Sequence, residues 1–471
     1  MGGERVRGRS RHKKARPGIQ RQKCCISFCL LLVLLAGICV FFVFRNGKTE
    51  TDRVLAKEKM PREVSLEARD IEKWQELLYE NRISEEFREG LESFAFESAS
   101  LVLRQEGGNV NYSPLSASYA LALAGCGACG ETEAEILARL HMDSREELAI
   151  QCQKLYQWLY YSEQWAKKRS ERYGGSGSDE GDAITIGNSV WVSDSAAIEK
   201  EYQKLASCQF FAPCLTVDFK SPEVGAAMGE WIAQKTNQTL PAPVNPDPDN
   251  RISILNTLYF YGGWRSRFAK DNTKEDIFTL SDGERLPCLF LNQTMESGRF
   301  REGDGFRVSY LKTADSQVIF LLPHEGRRPE DFLGSPELLE IAMNPDAGEW
   351  KEGEITWRIP RFSVKSSINL VGFLQALGTE RMFGEAAEFG GISKDPLWIS
   401  DMRQETFISM DESGVEGAAY TVMETEAAAI EREKPAHVDM ILDRPFLYGI
   451  RTDSGIWLFL GIYRQPDQEN P

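Results

Sequence analysis

The sequence predicts one large α+β domain standing behind a single transmembrane helix. Three observations predict it. Cys24 to Phe44 is a stretch of 21 residues without a charged side chain, the length of a membrane span. Apolar residues recur at helical spacing through residues 66–102, whereas several later segments between Ile184 and Tyr463 read as strands. Residues 411–421, Asp-Glu-Ser-Gly-Val-Glu-Gly-Ala-Ala-Tyr-Thr, are a small-residue run just after a strand signal. A segment that must slip between two existing strands needs small residues at every second position, because alternate side chains enter a packed interior.

Residues 1–23 hold nine Lys/Arg against one Glu, a net +8, so the rest of a chain of net charge −16 carries −24. The basic segment alone has the composition of a nucleic-acid arm. The apolar span directly after it decides otherwise, for residues 24–44 cover about 31 Å as a helix at ~1.5 Å per residue, the thickness of the hydrocarbon core. A basic flank before an apolar span predicts a cytoplasmic N-terminus and an extracytoplasmic body at the cell membrane. A cleaved signal peptide is the competing reading. The span is long for its apolar region, and no Ala-x-Ala-like site comes after it. Leu35-Ala36-Gly37-Ile38-Cys39 misses a lipoprotein site because Ile38 separates the glycine from the cysteine. The acidic body repels phosphates, so no nucleic-acid partner is expected.

Residues 45–83 read as a stem. Its first part, 45–62, is polar and charged like a linker. Leu66, Ile71, Trp74, Leu77 and Leu78 then predict an amphipathic helix over 63–80. From Ser84 the body begins, with Phe87, Leu91, Phe94, Ala95, Ser98 and Val102 on one helical face. Residues 163–182 are charged and then Gly/Ser/Asp-rich, and read as a solvated surface insertion. Strands are expected at 184–192, 251–260, 318–322, 406–410 and 457–463. A hydrophobic content of 42% over 471 residues suffices for a large core, and length alone suits two or three domains. No internal repeat is present.

Catalytic chemistry is not indicated. The four histidines, His12, His141, His324 and His437, lie in no motif context, and no Gly-x-Ser-x-Gly elbow, phosphate loop or His-Glu-x-x-His occurs. No catalytic residue, metal ligand or cofactor is therefore expected. Of ten cysteines, Cys24, Cys25, Cys29 and Cys39 fall in the span. Cys126-Gly-Ala-Cys129 has redox spacing but no thioredoxin-like strand before it, and reads as small core-facing residues. Asn237-Gln-Thr and Asn292-Gln-Thr fit the glycosylation acceptor pattern.

Asn109-Val-Asn-Tyr-Ser-Pro-Leu-Ser116 and Gly127-Ala-Cys-Gly-Glu-Thr132-Glu-Ala-Glu-Ile-Leu137 resemble the early helical block of the serpin family. Asn256-Thr-Leu-Tyr-Phe260-Tyr-Gly-Gly-Trp264-Arg-Ser-Arg-Phe268 is similar to its central-sheet and breach motif. Ile359-Pro360-Arg-Phe362, the helix Leu370 to Gly378, Arg444-Pro445-Phe446 and Phe459-Leu-Gly461 with Pro466 resemble later landmarks in serpin order. The resemblance covers residues 84–471 as one serpin domain. It implies a large central mixed sheet, further sheets, surrounding helices and an exposed reactive-centre loop.

The resemblance also implies a suicide inhibitor, monomeric and without a cofactor. A serine or cysteine protease attacks the loop, forms an acyl-enzyme, and is dragged away as the freed loop enters the central sheet. Glu412 and Gly414 match the hinge glutamate and glycine. Val415, Gly417, Ala418, Ala419 and Thr421 belong to the small-residue run, with Val415, Gly417, Ala419 and Thr421 on the inward row and Tyr420 outward. Trp264 matches the breach tryptophan. Asn256, Ser113 and Ser116 match the polar cluster that controls sheet opening. Gln404 stands where the family often has histidine, and its amide is able to donate to Asn256. Counting seventeen residues from Glu412, one long strand at ~3.3 Å per residue, reaches Ala428-Ala429 and implies an elastase-like target. Extra residues before the bond would instead put Arg432 or Lys434 there, for a trypsin-like one. A non-inhibitory serpin that binds, stores or chaperones is the alternative.

Overall fold

The computed structural model describes residues 53–104, 108–173, 181–240, 244–415 and 436–466, and they belong to one unit that begins at Arg53. The chain runs through β1 (Arg53–Ala56), α1 (Ile71–Glu80), α2 (Glu85–Val102), β2 (Val110–Tyr112), α3 (Pro114–Gly125), α4 (Gly130–Arg139) and α5 (Arg145–Tyr173). It continues with β3 (Ala183–Ser193), α6 (Lys200–Gln209), β4 (Cys214–Val217), α7 (Glu223–Lys235) and β5 (Ile252–Gly263). Then come β6 (Lys274–Thr279), β7 (Arg285–Gly303), β8 (Phe306–Lys312), β9 (Ser316–Pro323) and α8 (Pro336–Met343). The last part holds β10 (Lys351–Pro360), β11 (Phe362–Asn369), α9 (Val371–Ala376), β12 (Ile399–Met410), β13 (Gly414–Val415), β14 (Ala436–Ile441), β15 (Phe446–Thr452) and β16 (Trp457–Tyr463).

Two sheets organise these elements. One has seven strands in the order β1-β4-β3-β5-β13-β12-β11, with β5 also pairing β12 directly. The other has the order β14-β10-β7-β8-β9-β15-β16-β2, with β6 on β7. β5, Ile-Ser-Ile-Leu-Asn-Thr-Leu-Tyr-Phe-Tyr-Gly-Gly, is rich in β-formers and buried on both faces for most of its length. α3 is buried at every residue, as a helix that is apolar or small all round must be, and packs against β5 and β16. Its start is set locally: Ser113 caps it by accepting from the Ser116 N–H at 3.2 Å, and Pro114 occupies the first turn. α9 covers the middle of the helix expected from Leu370 to Gly378.

Three local expectations differ from the structure. The stem helix begins at Ile71 rather than near residue 63. Within the segment read as a linker, β1 pairs antiparallel with β4 as an edge strand of the seven-stranded sheet. Glu58 also forms an ion pair with Lys235 at the end of α7, at 2.7 Å. The charged half of 163–182 is not an insertion but the last turns of α5. There Trp165 stacks on Trp74 of α1 with ring centroids 6.3 Å apart, Ala166 is buried, and Asp182 is buried where β3 begins. Charge on the outer face of a helix masked an inner face that the stem covers. The segments 1–23 and 24–44 lie outside the described residues. Among the described residues, no helix is long and apolar enough to cross a membrane.

Candidate functional site

The site is a slot in the seven-stranded sheet. β5 and β12 run parallel, pairing Ile252 with Ile399 and continuing from Ser253 and Asp401 to Thr257 and Glu405. Above that level they part, and β13 lies between them, antiparallel to both. Gly414 is level with Gly263, and Val415 is level with Gly262 on one side and Met410 on the other. The chain has reversed within residues 411–413 to get there. Glycine is required at 414 by close approach, since a Cβ there would meet the Gly262 carbonyl oxygen at 2.3 Å. Val415 is 1% exposed, so it points into the core, as the inward row expects of it.

Asp411, Glu412 and Trp264 hold the reversal. The Asp411 carboxylate accepts from the N–H of Ser413 at 2.7 Å and of Gly414 at 3.2 Å, and the Asp411 N–H donates to the Gly414 carbonyl at 3.0 Å. The indole of Trp264, fully buried at the end of β5, donates to the Asp411 carbonyl at 2.9 Å, and the Trp264 N–H donates to the Ser413 carbonyl at 3.0 Å. Glu412 is buried; its carboxylate accepts from the Thr273 hydroxyl at 2.8 Å, and its carbonyl accepts from the Phe268 N–H at 3.1 Å. Behind Gly262 lies Asp182, which accepts from the Thr313 hydroxyl at 2.7 Å. Burial pushes its carboxyl up to about 6.

Lower in the slot, where β5 and β12 meet, is a buried polar cluster. Gln404 and Asn256 are level, but their side chains are used differently from expectation. Gln404 accepts from the Ser113 N–H at 2.9 Å and donates to the Ser113 carbonyl at 2.7 Å. A primary amide matches that backbone donor–acceptor pair in shape and polarity, so both its ends go to Ser113. Asn256 instead donates to Asn188, its level neighbour on β3. Asn188 also donates to the Phe210 carbonyl at 3.2 Å. Asn188 was not among the residues expected at the site, although an asparagine inside the run Ile184–Val192 is a signal that something buried partners it. Thr406 adds a bond to the Asn111 carbonyl at 2.8 Å.

The sequence-derived site residues thus fall in two described groups: Glu412, Gly414, Val415 and Trp264 at the top of the slot, and Ser113, Ser116, Asn256 and Gln404 below. Gly417, Ala418, Ala419, Thr421, Ala428, Ala429, Arg432 and Lys434 lie outside the described residues. The three histidines of the described residues each face a carboxylate: His141 faces Glu97, His324 faces Glu302, and His437 lies between Glu354 and Asp439. Cys126 and Cys129 are both free thiols, and burial pushes the Cys126 thiol up to about 12. Among the described residues, no group of three or more His, Cys, Asp or Glu is placed to hold a metal ion.

Comparison with known proteins gives a consistent result. Serpin-Z2A of Triticum aestivum is 29% identical over 374 residues, 75% of this chain and 89% of the relative. Neuroserpin of Mus musculus is 26% identical over 375 residues, 77% of this chain and 87% of its own length. Among solved structures, the thermophilic serpin tengpin in its native state superposes with a TM-score of 0.70 at 22% identity, over 88% of this chain and all of that one. Thyroxine-binding globulin with bound thyroxine superposes with a TM-score of 0.63 at 18% identity, over 81% of this chain. At those identities the two structures establish the fold alone. The family profile described as Serpin (serine protease inhibitor) matches residues 89–466. A chain covered by that profile from the first body helix to beyond the last strand is a member of the serpin family.

Proposed function

We propose that the protein inhibits serine proteases, with cysteine proteases as the alternative class, by trapping the acyl-enzyme while the cleaved loop fills the slot between β5 and β12. The observation that carries this is β13: at the loop's leading end Gly414 and Val415 pair with β5, and Val415 pairs also with β12, antiparallel to each. Carried downward, both registers agree. Tyr420 comes level with Thr257 and Glu405, and Thr421 with Asn256 and Gln404. Alternation then turns Gly417, Ala419 and Thr421 inward with Val415, and small residues meet the least resistance there.

The same register supports the bond Ala428-Ala429. Ser253 and Asp401, near the foot of the slot, fall level with Glu424. A strand ending at Ala428 overhangs that level by four residues, about 13 Å at ~3.3 Å per residue, whereas one ending at Arg432 or Lys434 overhangs by twice that or more. The reading favours an elastase-like target, with a trypsin-like one as the alternative. The basic flank and uncharged span of 1–44 support display on the outer side of a membrane by an uncleaved anchor.

The test is incubation with an elastase-like and a trypsin-like protease. A covalent complex that survives SDS, with a released peptide beginning at Ala429, is expected from the first. A peptide beginning at Glu433 or Pro435 after trapping moves the bond and the target class. Complete loop cleavage with no complex from any protease leaves the non-inhibitory role. Protease added to intact cells should digest the body; a body protected until lysis overturns the membrane topology.

A further inference from the structure

We propose that Asp411 is a positioning residue that loads the hinge: its side chain keeps Gly414 and Val415 in the sheet before any protease arrives. The proposal rests on the insertion reading above, and its primary measurement does not need a protease. A two-residue strand makes too few ladder bonds to hold itself in place, so whatever fixes the reversal decides whether β13 exists. The other anchors that hold residues 411–414 do so without a side chain bonded to the hinge amides. The bonds from Trp264 N–H to Ser413 and from Phe268 N–H to Glu412 use carbonyls that any residue supplies. The Glu412 side chain ties to Thr273, ahead of β6, and not to the hinge amides.

Asp411 differs in that its side chain is bonded to the hinge amides themselves. Its Oδ1 accepts from the Ser413 and Gly414 N–H groups, its own N–H donates to the Gly414 carbonyl, and its carbonyl accepts from the Trp264 indole. Bonds to an ionised acceptor are the stronger kind. With the reversal held, Met410 and Val415 are level on the core face and Gly414 meets Gly263. The top of the slot is therefore already parted. Insertion begins with Glu416 rather than by separating two closed strands, which shortens the interval in which the acyl-enzyme can hydrolyse.

The full-length chain is compared with Asp411→Asn, which keeps the Oδ1 acceptor, and Asp411→Ala, which removes it. Amide hydrogen exchange at residues 413–415 is read first. Asp411→Ala is expected to lose about 10- to 100-fold in protection there, and Asp411→Asn less than about 5-fold, the difference between losing and keeping the acceptor. With an elastase-like protease, Asp411→Ala should show more cleaved product per trapped complex at an unchanged kcat/KM for loop cleavage and an unchanged melting midpoint. A merely structural role would move the midpoint instead. Protection in Asp411→Ala within about twofold of wild type overturns the proposal. Should Asp411→Ala fail to fold, Asp411→Ser keeps a weaker acceptor and must rank below Asn in protection; equal protection for Asn and Ser overturns it as well. If the wild-type chain traps no protease at all, the insertion reading fails while the exchange ranking still reports on the hinge.

Discussion

Replacing Val415 by arginine should turn the inhibitor into a substrate. Val415 is 1% exposed, level with Met410 and Gly262 on the core face of the slot. The Asp182 carboxylate behind Gly262 already accepts from the Thr313 hydroxyl and from the Ala314 and Asp315 N–H groups, and so is not free to receive a guanidinium. Losing the valine burial removes ~1.5–3 kcal/mol. Seating an unpaired arginine adds at least ~3 kcal/mol more, the scale for a buried charge without its partner. The variant should therefore keep residues 414–415 out of the sheet before cleavage and resist their return after it. If half of the combined ~4.5 kcal/mol is felt at the insertion barrier, trapping slows about 45-fold, and if all is felt, about 2,000-fold, at ~1.36 kcal/mol per decade. Deacylation is untouched, so the ratio of cleaved inhibitor to SDS-stable complex rises by the same factor. The assay titrates an elastase-like protease with each variant and counts both products on a denaturing gel. Val415→Ala, which loses only ~1.6 kcal/mol of burial, should fall between the two. A Val415→Arg protein that traps at wild-type stoichiometry refutes the assigned core-facing parity.

Loop cleavage should raise the melting midpoint, because a strand with its ladder bonds joins the seven-stranded sheet; an unchanged or lower midpoint after complete cleavage favours the non-inhibitory role. Glu424→Gln should raise the midpoint of the cleaved form while leaving the intact form alone, because the register brings Glu424 level with Asp401, whose carboxyl burial pushes up; equal cleaved midpoints would show that the strand stops short of that level. His437 joins the edge strand β14 to β10 through Glu354 at 2.8 Å, with Asp439 at 3.0 Å on its other side. Its hydrogen bonds to the carboxylates of Asp439 and then Glu354 raise its pKa above the ordinary histidine value. The stabilisation is thus complete below pH ~6.5 and is lost as pH rises through the raised value. Thermal melts of wild type and His437→Gln should accordingly differ at low pH and converge at alkaline pH; a constant difference refutes the assignment.

Much of the site was legible along the chain because its requirements are local. A glycine at 414 is demanded by a backbone approach that no side chain tolerates, and Val415 shows its parity within a period of two. Ser113 and Pro114 start α3 through their own chemistry. Helical and strand periods located α2, β3, β5, β9 and β16 to within a few residues. The last turns of α5 read as a surface insertion because Lys167, Lys168 and Arg169 announce solvent, while their buried side is defined by Trp74, far earlier in the chain.

What the amino-acid order determined by itself is a body of serpin type and a loop whose leading residues are small enough to enter a sheet. Which partner each buried polar group takes was decided by tertiary structure alone. Gln404 turned to Ser113, and Asn256 to Asn188, because a side-chain amide bonds to whichever donor–acceptor pair the fold brings within 3 Å. The polar segment ahead of α1 became strand β1 for the same reason: it fills an open edge beside β4, and an unpaired strand edge is a property of the assembled sheet rather than of any segment in it.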